Sequence, residues 1–84
     1  MRAQDILPAG LDQIERQGIT IRKGAVGAFL ANARALQDAA EDHVAREQAL
    51  RDITDGLPAL RALGLFDILE IRDPRLRALV EAAT

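Results

Sequence analysis

The chain has 84 residues, a formal charge of −2 and 49% hydrophobic content, with Phe29 and Phe66 as its only aromatics. Cys, Ser, Trp and Tyr are absent, which excludes a disulfide framework, a thiolate metal site and a serine or cysteine nucleophile, and leaves almost nothing to stack a nucleic-acid base. At this length one domain, 1–84, is expected, burying only about 60–65% of the surface that its unfolded chain exposes.

The charge is uneven. Residues 38–56 hold six acidic and two basic side chains, so a wrapping polyanion is a poor partner for the middle of the chain. The N-terminal Met-Arg-Ala-Gln-Asp has no apolar core of a signal peptide. No stretch approaches the roughly 18 apolar residues of a membrane span. A cytoplasmic protein with no membrane partner is the expectation.

In chain order, Asp5-Ile-Leu-Pro8 predicts a helix start, with Pro8 in the first turn. Ile6, Leu7, Leu11 and Ile14 give that helix an apolar stripe, Asp12 and Arg16 an i,i+4 pair, and Gly18 a left-handed end. Ile19-Thr20-Ile21-Arg22 alternates apolar and polar with three β-branched residues, which predicts a strand with Ile19 and Ile21 inward. Lys23-Gly24 turns into the main helix, about 25–36. Its expected apolar face is Val26, Phe29, Leu30, Ala33 and Leu36. Gly24, Gly27, Ala28, Ala31 and Ala35 give it a small-residue flank for close packing.

Asp38-x-x-Glu41 resembles a capping box for a third helix over about 39–53. Asp42–Arg46 and Glu47–Arg51 are i,i+4 pairs along it. Val44, Leu50 and Ile53 are its sparse apolar residues, so it is expected on the outside with one narrow stripe buried. Asp55-Gly56 reads as a break, and Leu57-Pro58 as the start of a short helix ending at Gly64. A second strand is predicted over 68–72, Ile-Leu-Glu-Ile-Arg. Asp73-Pro74 then starts a last helix with Leu76, Leu79 and Val80 inward.

A shift of fifty residues lays Asp-x-Leu-Pro-Ala at 5–9 on 55–59, and Ile19-Thr-Ile-Arg22 on Leu69-Glu-Ile-Arg72. This suggests a pseudo-repeat of helix-strand-helix units. The expected fold is α+β and predominantly helical: four to five helices packed on a two-stranded antiparallel sheet of 19–22 with 68–72.

For function the sequence offers surfaces rather than chemistry. Thr20, Arg22, Glu70 and Arg72 would share the outer face of the sheet as a candidate interface, and each strand would keep one free edge where another chain can add. Arg22, Lys23 and Gly24 precede a helix without a side-chain cap, the pattern of a small-anion site; water or a carboxylate elsewhere in the fold satisfies such N–H groups equally well. Asn32, near the core face, is expected to pin a neighbouring backbone. His43, the only histidine, sits among acids and reads as a solvated surface residue. Asp38, Glu41 and Asp42 lack calcium-loop spacing. Gly24-x-x-Gly27 lacks the P-loop spacing and its lysine.

No cofactor or metal is implied. The expected function is a non-enzymatic protein–protein interaction module that self-associates or docks a partner through strand edges or the main helix. The alternatives are small-anion binding and weak nucleic-acid binding by Arg22, Lys23, Arg72, Arg75 and Arg77.

Overall fold

The computed structural model describes residue 2, residues 12–38 and residues 42–83. Within them the architecture is α+β. A hairpin, β1 (Gln13–Arg16) and β2 (Ile19–Arg22), precedes four helices: α1 (Ala25–Gln37), α2 (His43–Leu63), α3 (Leu65–Ile68) and α4 (Pro74–Ala82). The helix start expected at 5–11 lies outside the described residues.

β2 forms where the alternation places it, but its partner differs from the expectation. Gln13–Arg16 is not the end of a helix; it pairs antiparallel with β2, Ile14 opposite Ile21 and Glu15 opposite Thr20. The turn explains why. Gln17 and Gly18 have φ of 56° and 76°, two left-handed residues in a row, as in the two-residue turns that match the twist of a hairpin. In extended chain, residues four apart stand about 13 Å from each other, so the Asp12–Arg16 helical pair has no place here.

The predicted strand at 68–72 does not form. Ile68 ends α3, and residues 69–72 are not part of a strand. Pairing 19–22 with 68–72 closes a loop of several tens of residues, whereas the hairpin closes two. The difference in loop entropy is about 3 kcal/mol in favour of the local partner. The sheet is therefore antiparallel and two-stranded, as expected, but it is a local hairpin. The fifty-residue repeat also finds no support: 55–59 lies inside α2 and the second strand is missing.

α2 is the second departure. It runs without interruption through Asp55-Gly56-Leu57-Pro58. Pro in a helix interior costs about 3 kcal/mol and Gly about 1. Against this, Ile53, Leu57 and Leu60 are each only 1% exposed, and burial of such side chains stabilises by about 1.5–3 kcal/mol each. The stripe at i, i+4, i+7 exists only if the helix continues, so burial outweighs the local breakers. One turn before Pro58, the Thr54 hydroxyl donates to the Leu50 carbonyl at 3.0 Å.

α2 is consequently the central helix, not an outer one. Ala49, Ile53, Leu57 and Leu60 are buried along it, and Phe29, Ala33 and Val80 close on them from α1 and α4. Phe29 meets Phe66 edge-on, ring centroids 5.8 Å apart at 67°. Leu76, Leu79 and Val80 turn inward as expected, the two leucines partly and Val80 fully.

α1 is rotated from its predicted face. Phe29 and Ala33 are buried, with Ala25 and Leu36 partly so, while Val26 and Leu30 are 37% and 51% exposed. The small-residue flank is not closely packed: a Cβ added at Gly27 meets no atom within 4 Å.

Caps set the helix ends. Asp42, four residues after the expected Asp38, caps α2 by accepting from the Ala45 N–H at 2.7 Å. Asp38 instead follows the end of α1. The expected pairs on α2 are replaced: Arg46 donates to the Asp38 carbonyl at 3.1 Å, Arg51 to Gln48 at 3.0 Å, and His43 meets Glu47 at 2.9 Å. Gly64 ends α2, as predicted for its helix. Asp73 caps α4, with Pro74 in the first turn, as predicted.

Candidate functional site

Part of the set singled out from the sequence comes together. Thr20 and Arg22 at the end of β2, with Lys23 and Gly24, line a cavity of about 360 Å³ between the hairpin, the start of α1 and the middle of α2. Gly24 is in the left-handed region at φ 87° and supplies no side-chain cap to α1. The turn requires that conformation, which glycine adopts without steric strain. The first N–H groups of α1 therefore take no side-chain cap from that position, and Arg22 and Lys23 line the same cavity.

The tertiary structure adds what the sequence did not reveal. Asp52 and Asp55, from the middle of α2, line the same cavity. They are about thirty residues away in the chain, and the packing of α2 beside the hairpin and the start of α1 brings them there. Asp52 is engaged with the Gln48 amide at 2.9 Å. The cavity thus pairs two cations with two carboxylates, which weakens attraction for an anion. The Asn32 side chain also lines it, half-buried, with no hydrogen bond to another side chain or backbone group among the described residues. The backbone contact expected of Asn32 is thus not seen there.

The candidate interface quartet is divided. Without the second strand, no sheet face brings Glu70 and Arg72 beside Thr20 and Arg22. Arg77 meets Glu70 at 3.2 Å and also donates to the Ile71 carbonyl at 3.2 Å. Arg72 lies on a groove where α1, α2 and α4 meet. All four residues are exposed.

The edges of the hairpin are the second feature. Arg16 and Ile19 are the pair next to the turn. Hydrogen-bonded pairs alternate from there, and the Lys23 N–H bonding the Asp12 carbonyl at 2.6 Å continues the series. The backbone groups of Thr20 and Arg22 on one edge, and of Gln13 and Glu15 on the other, point away from the ladder. No other strand pairs with either edge among the described residues. Arg22 spans the outer face to Gln13 at 3.2 Å. Val26 and Leu30, one turn apart on α1, follow in the chain as exposed apolar residues.

The His43 side chain is 85% exposed, as expected of a surface histidine. Among the described residues there is no group of three His, Cys, Asp or Glu placed to hold a metal, and no helix long and apolar enough to cross a membrane. Asp73, the cap of α4, has its acidity shifted by its hydrogen bonds. Its carboxyl is held below the usual carboxylate range first by the Gln37 side-chain amide, then by the backbone N–H groups of Leu76 and Arg75.

Comparison of the chain with protein-family models, with curated proteins and with solved structures finds no match.

Proposed function

We propose that this chain is a non-enzymatic interaction module that associates with a second copy of itself through an edge of the β1–β2 hairpin, with the exposed face of α1 alongside. The observation behind this reading is the outward-pointing backbone of Thr20 and Arg22, a row of donors and acceptors that a second strand can satisfy. Val26 and Leu30 add apolar surface that association would remove from water. The absence of Ser, Cys and Tyr and the solvated position of His43 support a role without catalysis.

Sedimentation over a wide concentration range tests it. The expected result is a mass that rises toward a dimer, and a return to monomer in Thr20→Pro. That substitution removes an outward N–H without breaking a rung of the ladder. A monomer at every concentration refutes self-association.

A second reading, binding of a small anion at Arg22, Lys23 and Gly24, follows from the missing side-chain cap of α1. Phosphate or sulfate should then raise the melting temperature, and Lys23→Glu should abolish the rise.

A further inference from the structure

The groove where α1, α2 and α4 meet has a volume of about 830 Å³, room for roughly 25–30 waters when empty. Leu36, Leu50, Leu76 and Leu79 form its floor, each only partly buried. Arg46, Arg72 and Arg75 stand around it. Asp73 is the one carboxylate lining it among the described residues, and it is already committed. One oxygen accepts the Arg75 and Leu76 N–H groups at 2.8 and 3.2 Å, and the other accepts the Gln37 amide at 2.8 Å. Neither the His43–Glu47 nor the Arg77–Glu70 ion pair involves these three guanidiniums, of which Arg46 donates to the Asp38 backbone carbonyl at 3.1 Å.

An apolar floor under a cationic rim is complementary to an apolar stripe flanked by carboxylates. We propose that this groove receives an acidic amphipathic helix of a partner protein, its leucine-like residues on the four-leucine floor and its carboxylates toward Arg46, Arg72 and Arg75. The floor is built from three helices, and Leu76 and Leu79 are one turn apart on α4, the spacing into which side chains of another helix fit. A nucleic-acid backbone would meet the arginines but leave the leucines uncovered, and no aromatic lines the groove to stack a base. A second copy is a poor occupant. Among the large apolar residues exposed in the described chain, Val44 stands alone on α2, Val26 and Leu30 lie on α1, which has no carboxylate, and Ile68 and Leu69 lie at the end of the four-residue α3, so none forms an acid-flanked helical stripe. This surface shares no residue with the hairpin edge, so either proposal can fail without the other.

The test is an NMR titration of the full chain with labelled leucine and valine methyl groups and labelled arginine side chains. One synthetic peptide of about four helical turns (roughly 14 residues) carries leucines on one face and glutamates on its flanks. Its twin carries lysines in place of the glutamates. The expected result is movement of the Leu36, Leu50, Leu76 and Leu79 methyl signals, with the glutamate peptide bound about tenfold more tightly than its twin at low salt. In the double variant Arg72→Glu with Arg75→Glu, the order of the two peptides should reverse; both side chains are exposed, so the fold is expected to survive. Equal affinity for the twins overturns the proposal, as do shifts centred on Val26 and Leu30. Movement of the leucine signals with protein concentration alone assigns the groove to a second copy and also overturns it. If a DNA duplex moves the arginine signals while the glutamate peptide leaves the leucines in place, the face belongs to a polyanion and the proposal falls.

Discussion

Replacing Pro58 with alanine should make the protein more stable. Pro58 lies in the interior of α2, five residues before the helix ends at Leu63. It has no N–H to donate to the Thr54 carbonyl, and its ring crowds that turn. The residue is exposed, so alanine gives up no core packing. A helix-interior proline is worth about 3 kcal/mol less than alanine; allowing for local adjustment around it, a gain of about 1–3 kcal/mol is expected. For a domain of this size each kcal/mol moves the melting temperature by about 4–8 °C, so thermal unfolding in Pro58→Ala should shift upward by about 5 °C or more. The backbone amide that the substitution introduces should also be protected from hydrogen exchange, since it can reach the Thr54 carbonyl. The opposite geometry makes the opposite prediction. Were Pro58 the first residue of a separate helix, its ring would be preorganised there, and alanine would lower stability by about 0.4–1 kcal/mol. An unchanged or lower melting temperature, with the introduced amide unprotected, would refute the uninterrupted helix.

Other substitutions probe the remaining parts. Leu57→Ala, at 1% exposure in the centre of the core, should cost about 2–5 kcal/mol in urea unfolding, whereas Val44→Ala, at 72% exposure, should change stability by less than about 0.5 kcal/mol. Gly27→Leu should leave the monomer folded, because the space around Gly27 is open. It should weaken self-association if α1 lies in the interface, as sedimentation would show. Asp73→Ala should lower the melting temperature near neutral pH. The Asp73 carboxyl titrates lower in the folded chain than its ordinary 3.8, so its stabilisation is present above that value and is lost as pH falls through the lowered one. The gap between wild type and Asp73→Ala should therefore narrow in strong acid; a gap constant with pH would contradict the charged cap. Arg61→Ala removes the guanidinium that donates to the Val80 and Ala83 carbonyls at 2.9 and 2.6 Å, and should expose the end of α4 to faster hydrogen exchange at a cost of about 1–2 kcal/mol.

Local chemistry determined the elements whose signals lie within a few neighbouring residues. Asp73-Pro74 starts α4 because a side-chain acceptor and a residue without an N–H suit the first turn of a helix wherever they occur. The β-branched alternation at 19–22 makes a strand, and Lys23-Gly24 leads into α1. Gly64 ends α2 for the same local reason. Gln17-Gly18 was the legible sign of the hairpin: a residue followed by glycine just before a β-branched strand. The apolar spacing of Leu7, Leu11 and Ile14 pointed to a helix instead.

Tertiary structure decided the rest. Asp55-Gly56-Leu57-Pro58 reads as a break in any isolated stretch, but Leu57 and Leu60 continue the buried stripe of Ile53 only if the helix passes through it, and the burial of that stripe outweighs the cost of the breakers. That one decision made α2 the centre of the core, and the packing of α2 beside the hairpin and α1 put Asp52 and Asp55 on the cavity beside Lys23. Loop entropy gave β2 a neighbour across a two-residue turn rather than one several tens of residues away, and so separated Glu70 and Arg72 from Thr20 and Arg22. The groove of Leu36, Leu50, Leu76 and Leu79 under Arg46, Arg72 and Arg75 draws on three helices. No window of sequence contains it, because partial burial and charge from distant segments meet only once those helices have packed.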